Sequence, residues 1–291
     1  MFLVMGITGK VGGATARHLL AQGKKKVRAL VRDREKAAIW ADQGVELVDG
    51  DWNDAAAIQR ALDGVEGAFL MLPAVWAPSP DFKEAKSVIA NYITALTKVT
   101  PPRIVALSSM GANRTSGLGM ITALSLLEQG FHDLTPPIAL VRAGGFFENF
   151  LYGLHVAQGG TLPVYYNPTD RKSTMVATED IGAEVATLLT GPAWSGHRVI
   201  ELGSLVSADD VAAHLGEVLK LDVKAFAVPR AGWPAAFEQL GIPKGQTGPA
   251  EEMFEAVNAG WMDLGVKGTE HVAGTTPARD VFAAAQRAGA A

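Results

Sequence analysis

Along the first 144 positions, apolar residues alternate between two rhythms. Short, mostly apolar runs at residues 2–5, 27–31, 45–48, 67–72, 103–107 and 138–141 have the length and aliphatic content of strands buried on both faces. Between them, at 12–22, 34–43, 54–62, 82–97 and 117–131, apolar positions recur every three or four residues, as on one face of a helix. Asn53 or Asp54 stands where the third of these helices needs an N-cap. Strands of this kind separated by helices predict an α/β fold: a parallel sheet covered on both faces, doubly wound by right-handed crossovers.

The texture changes after Gly144. Turn signals such as Gly159-Gly160, Asn167-Pro168, Gly191-Pro192 and Gly248-Pro249 become frequent. Helices are expected at 178–189 and 208–219, the second opened by Ser207 as N-cap, with a strand at 199–202. The expected division is a sheet domain over residues 1–144 and a smaller C-terminal lobe over 145–291, packed above the C-terminal ends of the strands. Residues near 176–204 are expected to return to the sheet. Lys24-Lys25-Lys26 reads as a solvated turn, and residues 283–291 as a helix end that frays.

Composition narrows the function classes. Hydrophobic residues at 48% and charged residues at 19% exclude a disordered chain. With 26 Lys and Arg against 30 Asp and Glu the net charge is -4, and direct nucleic-acid binding is not expected. The chain has no cysteine, which removes disulfides, a thiolate nucleophile and cysteine-based zinc sites. The six histidines show no H-x-x-x-H or H-E-x-x-H spacing, so no metal is expected. No apolar run approaches a membrane span and the start lacks a signal-peptide pattern, so a cytoplasmic setting is expected. Neither a G-x-x-x-x-G-K-[ST] loop nor a G-x-S-x-G elbow occurs.

The strongest local signal is Met5-Gly6-Ile7-Thr8-Gly9-Lys10-Val11-Gly12-Gly13, between the first strand and the first helix. Gly6 allows a tight turn, Gly9 lets backbone approach a diphosphate, and Gly12 lets the helix pack on the strand. The helix N-terminus then offers free N–H groups and its dipole to the anion. In this context the pattern predicts a Rossmann domain, with Gly6, Thr8, Gly9, Lys10, Val11 and Gly12 at a dinucleotide cofactor. The second strand ends in Val31-Arg32-Asp33-Arg34. Arg32 stands where NAD sites place an acid, and its guanidinium suits a 2′-phosphate, so NADP(H) is expected in preference to NAD(H). Asp33 complicates this, because it could turn inward instead. At Gly50-Asp51-Trp52-Asn53, two readings stand side by side. Either Asp51 accepts from the adenine amino group with Trp52 over the ring, or Asp51 caps a helix and Trp52 is core. Leu72 and Pro73, after the fourth strand, are expected to line the nicotinamide side with backbone.

Together these segments resemble the NmrA-like group of atypical short-chain dehydrogenase/reductases, especially its type 2 quinone oxidoreductases. Further matching pieces are Ala106-Leu107-Ser108-Ser109, Val141-Arg142-Ala143-Gly144-Gly145-Phe146-Phe147-Glu148-Asn149 and Ala177-Thr178-Glu179-Asp180-Ile181. They run in family order over roughly the first 200 residues. The resemblance implies NADP(H) bound by the glycine loop and Arg32, and Phe146, Phe147, Glu148 and Asn149 in a loop near nicotinamide and substrate. It does not fix an activity, since the group holds both reductases and cofactor sensors that bind NADP(H) without turnover.

Reductases of the wider superfamily use a Tyr paired with a Lys four residues on, plus a Ser. Ser108 and Ser109 follow the fifth strand, but no Tyr occurs between Tyr92 and Tyr152 and no Lys between Lys98 and Lys172. The resemblance places Leu124 where many relatives carry Lys. Hydride transfer to a quinone-like or other small apolar acceptor needs little proton help from protein, so positioning would supply most of the rate, with Ser109 the catalytic candidate. Phe146, Phe147, Pro73 and Trp76 are expected to wall a flat apolar pocket, and Glu148 and Asn149 to orient the substrate. The alternative is a non-catalytic redox sensor acting through a protein partner. A homodimer through the helices flanking the sheet is a further expectation. Several residues carry a plainer reading beside the functional one: Ser108 and Ser109 as a turn cap, Phe146-Phe147 as core, Glu148-Asn149 as a helix cap, and Arg142 as the holder of a buried carboxylate.

Overall fold

The computed structural model describes residues 1–23 and 25–289. Lys24, Ala290 and Ala291, parts of the expected solvated turn and frayed end, lie outside the described residues. Six strands open the chain: β1 (Phe2–Val4), β2 (Val27–Val31), β3 (Glu46–Asp49), β4 (Gly67–Leu70), β5 (Ile104–Ser109) and β6 (Ile138–Ala143). They alternate with α1 (Lys10–Ala21), α2 (Arg34–Ala41), α3 (Ala55–Leu62), α4 (Lys83–Leu96) and α5 (Thr122–Phe131). The central sheet is parallel throughout and eight-stranded. Its order is Glu270–Val272, His197–Leu202, β6, β5, β4, β1, β2, β3, so the winding reverses between β1 and β4. Open sheets of this type bind ligands at that reversal, beyond the carboxyl ends of the strands.

The apolar runs are explained by burial on both faces. Phe2 and Val4 pack with α1, α2 and the helix Thr178–Thr190 on one side, while Leu3 and Met5 pack with α3, α4 and α5 on the other. Small residues allow α1 and Thr178–Thr190 to touch closely: a Cβ on Gly182 would stand 2.5 Å from the Ala14 Cβ. Of the two cap candidates it is Asp54 that caps α3, accepting from the Ala56 and Ala57 amides at 2.9 and 3.1 Å. Ser207 caps the helix Ala208–Leu219 in a reciprocal capping box with Asp210.

The helix expected over 117–131 is shorter than its pattern. Gly117 and Gly119 take positive φ, a 3-10 turn covers Gly119–Ile121, and α5 begins only at Thr122. Here tertiary contact overrides periodicity, because Gly119 lies under the helix Gly248–Asn258 with no room for a side chain.

Beyond Gly144, a separate apolar core gathers Phe147, Phe150, Val211, Leu215 and Phe282 between two small sheets and the helices Ala208–Leu219 and Ala278–Arg287. Two strands of this half, His197–Leu202 and Glu270–Val272, extend the main sheet; the second of them has no clear signal in the sequence. Asp180, in the first turn of Thr178–Thr190, pins the segment before the last helix. Its carboxylate accepts from the Thr275 amide and hydroxyl at 2.9 and 3.0 Å and from those of Thr276 at 2.9 and 2.7 Å.

Candidate functional site: a glycine-lined groove opening into an apolar cavity

At the amino end of α1 the chain turns tightly. Gly6 sits at φ 66°, and the Gly9 amide donates to the Gly6 carbonyl at 2.8 Å. Gly9 is the N-cap of α1, with no side chain satisfying the free amides and no acid in the first turn. The first N–H groups of a helix have no partner within it, so this end is poised for an anion. Gly12 has the tightest fit: a Cβ there would stand 2.3 Å from the Gly6 carbonyl oxygen, which is why only glycine lets helix and strand approach this closely.

A small cavity of about 120 Å³ adjoins the loop, lined by Gly6, Thr8, Arg32, Asp33, Lys36 and Trp52 among others. Arg32 lies over the Trp52 ring at 5.4 Å and has no ion pair among the described residues. The Asp33 carboxylate instead turns to α2, accepting from the Lys36 amide at 3.1 Å and lying 3.5 Å from its ammonium. That amide holds the Asp33 carboxyl below the usual carboxylate range. Asp51, also in the cavity wall, accepts from the Asn53 amide at 2.6 Å in a local turn and caps no helix. Trp52 spans both of its readings, packed on the core on one side and lining the cavity on the other. Lys36 was not singled out from the sequence; its place four residues after Arg32, one turn into the next helix, is the signal that could have found it.

Past the glycine loop lies a larger cavity of about 460 Å³. The sheet domain contributes Lys10, Val11, Leu72, Pro73, Trp76, Ser108, Ser109 and Leu124. From the expected loop come Phe146 and Asn149. Phe147 and Glu148, expected at the substrate, do not line this cavity. Phe147 packs into the core of the lobe, because the 3-10 turn Phe147–Gly153 directs it there. Glu148 is buried and caps another helix: its Oε1 accepts from the Thr178 amide and hydroxyl at 2.9 and 2.6 Å. The helix-cap reading is therefore the one that describes Glu148, reached across 30 residues.

Beneath the cavity floor, Arg142 and Glu128 form a buried bidentate pair at 2.9 and 2.6 Å. Ser108 donates to the same carboxylate at 2.5 Å, so its hydroxyl is engaged within the protein. Ser109 faces the cavity, with its hydroxyl on the Met110 carbonyl at 3.1 Å. The far wall was not foreseen. It is built by the lobe from Tyr152, Tyr166, Thr174, Met253, Phe254 and Met262. No short motif marks these residues. Among the described residues, no group of three or more His, Asp or Glu could hold a metal ion.

Known proteins are similar to this chain in sequence and fold. A family model described as NmrA-like family matches residues 1–264. The (4-alkanoyl-5-oxo-2,5-dihydrofuran-3-yl)methyl phosphate reductase of Streptomyces griseus is 29% identical over 250 residues, covering 85% of this chain and 79% of that protein. The NAD(P)H azoreductase of Xenophilus azovorans is 27% identical over 257 residues, covering 87% and 86%. Among solved structures, an NADPH-dependent quinone oxidoreductase from Escherichia coli superposes with a TM-score of 0.76 at 25% identity, over 97% of this chain and 98% of that one.

Proposed function

The chain belongs to the NmrA-like family, and from that premise we propose that it is an NADPH-dependent oxidoreductase whose acceptor is a flat apolar molecule of the quinone type. The observation that carries the cofactor reading is the division of labour at the end of β2. Asp33 is consumed as a helix cap, while Arg32 has no ion pair, beside Lys36 and next to the glycine loop. An acid that gripped the ribose would favour NAD(H); Asp33 engaged by Lys36 at the start of α2, with Arg32 unpaired in the same wall, favours the extra phosphate of NADP(H). The named activities of the relatives, on azo compounds, quinones and an unsaturated lactone phosphate, support reduction as the chemistry.

In this reading Gly9 and the first amides of α1 hold the diphosphate, and Arg32 with Lys36 holds the adenosine phosphate. When bound, the reduced nicotinamide supplies a hydride. Leu72, Pro73 and Ser109 form the walls against which the reacting rings align, and Phe146 and Trp76 offer flat faces to the acceptor. Leu124, on α5 in the same wall, can neither donate a proton nor hold a ribose, so positioning carries most of the rate. A cytoplasmic setting with a supply of reduced cofactor accords with this role.

The test mixes purified protein, NADPH and a panel of quinones and follows loss of the reduced-nicotinamide absorbance. Turnover above the protein-free rate, greater with NADPH than with NADH, is the expected result. Tight NADPH binding with no turnover on any acceptor would sink the enzyme and leave a cofactor-binding regulator that works through a protein partner.

A further inference from the structure

We propose that Tyr166 is the hydrogen-bond donor to the reducible group, its hydroxyl reaching from the lobe to the acceptor oxygen that gains charge as hydride arrives. This rests on the oxidoreductase reading above and names a polar group on the lobe side of the cavity, in addition to Lys10 and Ser109 in its sheet-domain walls. The Tyr166 ring is clamped: it stacks on Phe150 at 5.7 Å between centroids and meets Phe254 edge-on at 5.8 Å. This fixes the direction of the hydroxyl. It reaches the backbone of Gly145, two residues past β6, where an added Cβ would stand 3.0 Å from the phenol oxygen. Both Tyr166 and Gly145 line the cavity. The hydroxyl has no hydrogen-bond partner among the described residues. The Thr174 hydroxyl, in the same wall, is buried and likewise unpartnered. Tyr166 is half-buried, and an unpaired donor that opens into a cavity beside a buried unpartnered hydroxyl is the arrangement expected of a group that completes its bond with a ligand.

A carbonyl acceptor that takes up a hydride, with its two electrons, becomes an oxyanion and needs one proton to finish the product. Burial pushes the Tyr166 phenol up to about 12. The hydroxyl of a reduced quinone is itself a phenol, of ordinary pKa about 10. The proton therefore stays on Tyr166, which stabilises the developing oxyanion by donation, and water entering at the mouth supplies the proton that forms the new O–H bond. The acceptor is reduced, the nicotinamide donor oxidised, and Tyr166 ends the cycle unchanged.

The experiment compares wild-type protein, Tyr166→Phe and Tyr165→Phe. Tyr165 lies in the neighbouring aromatic cluster with Trp233 and Phe237 and does not line the cavity. Removing the Tyr166 hydroxyl keeps its ring, so NADPH affinity should stay at the wild-type value and confirm an intact fold. With menadione as acceptor, kcat should fall on the order of 100-fold in Tyr166→Phe, the loss seen when a preorganised oxyanion donor is removed. Menadione binding to cofactor-free protein, read by quenching of tryptophan fluorescence, should weaken roughly three- to tenfold. Tyr165→Phe should match wild type in both. Wild-type kcat and wild-type menadione affinity in Tyr166→Phe would overturn the proposal. If wild type binds NADPH and menadione but never turns over, the oxidoreductase reading falls, and the menadione affinities alone decide the role of Tyr166.

Discussion

The two ends of the groove are assembled in opposite ways. The end proposed for diphosphate and adenosine comes from one continuous stretch, residues 6–52, through a glycine turn, two strand ends and two helix starts. The proposed acceptor end is collected from segments scattered between Lys10 and Asp263, and its far wall draws on three smaller cores, with Tyr166, Met253 and Phe254 each packed on a different one. A local motif needs only local geometry, so the first end is held by backbone. The second is held by long-range side-chain contacts, among them the Arg142–Glu128–Ser108 cluster and the Glu148 cap on Thr178.

The largest expected effect tests that difference in what holds each end. Glu128→Ala leaves Arg142 buried without its carboxylate, and loss of one partner of a buried pair costs about 3–5 kcal/mol. Chemical denaturation should show a drop of that size, and a loss below about 1 kcal/mol would mean that the cluster does not organise the acceptor end. Next, two glycines three residues apart separate folding from binding. Gly12→Ala forces a Cβ against the Gly6 carbonyl and should destabilise by about 2–3 kcal/mol or more. Gly9→Val, whose Cβ would meet that carbonyl at a looser 3.2 Å, should fold but lose NADPH in calorimetry, because its side chain fills the diphosphate space. Normal NADPH affinity in Gly9→Val would remove the loop from the site. The smallest effect sharpens the adenosine end: Arg32→Asp should shift the NADPH-to-NADH affinity ratio by roughly 10- to 100-fold, the worth of one charge-assisted contact. An unchanged ratio would take Arg32 off the phosphate.

The same contrast explains what could be read beforehand. The central strands of the first half announce themselves because burial on both faces demands an apolar run, as Phe2 to Met5 shows, whereas β3 at the sheet edge is exposed or half-buried throughout. Asp54 and Ser207 are legible because capping is satisfied within three residues. The stretch from Phe146 to Asn149 defeats such reading. Phe146 and Asn149 reach the cavity, while Phe147 joins the lobe core and Glu148 caps a helix 30 residues away, because a 3-10 turn sends neighbouring side chains in different directions. The fate of Asp33 was likewise open until α2 presented the Lys36 amide.

From the sequence alone came the parallel sheet, the glycine turn and the cation at the end of β2, since each depends on residues within a few positions of one another and on backbone geometry that those residues dictate. Which side chains share the acceptor cavity was settled only when the lobe packed over the strand ends. Tyr166 lies more than 20 residues from Gly145 along the chain, yet its hydroxyl reaches that backbone, and no spacing along the chain encodes a meeting made by the packing of the lobe.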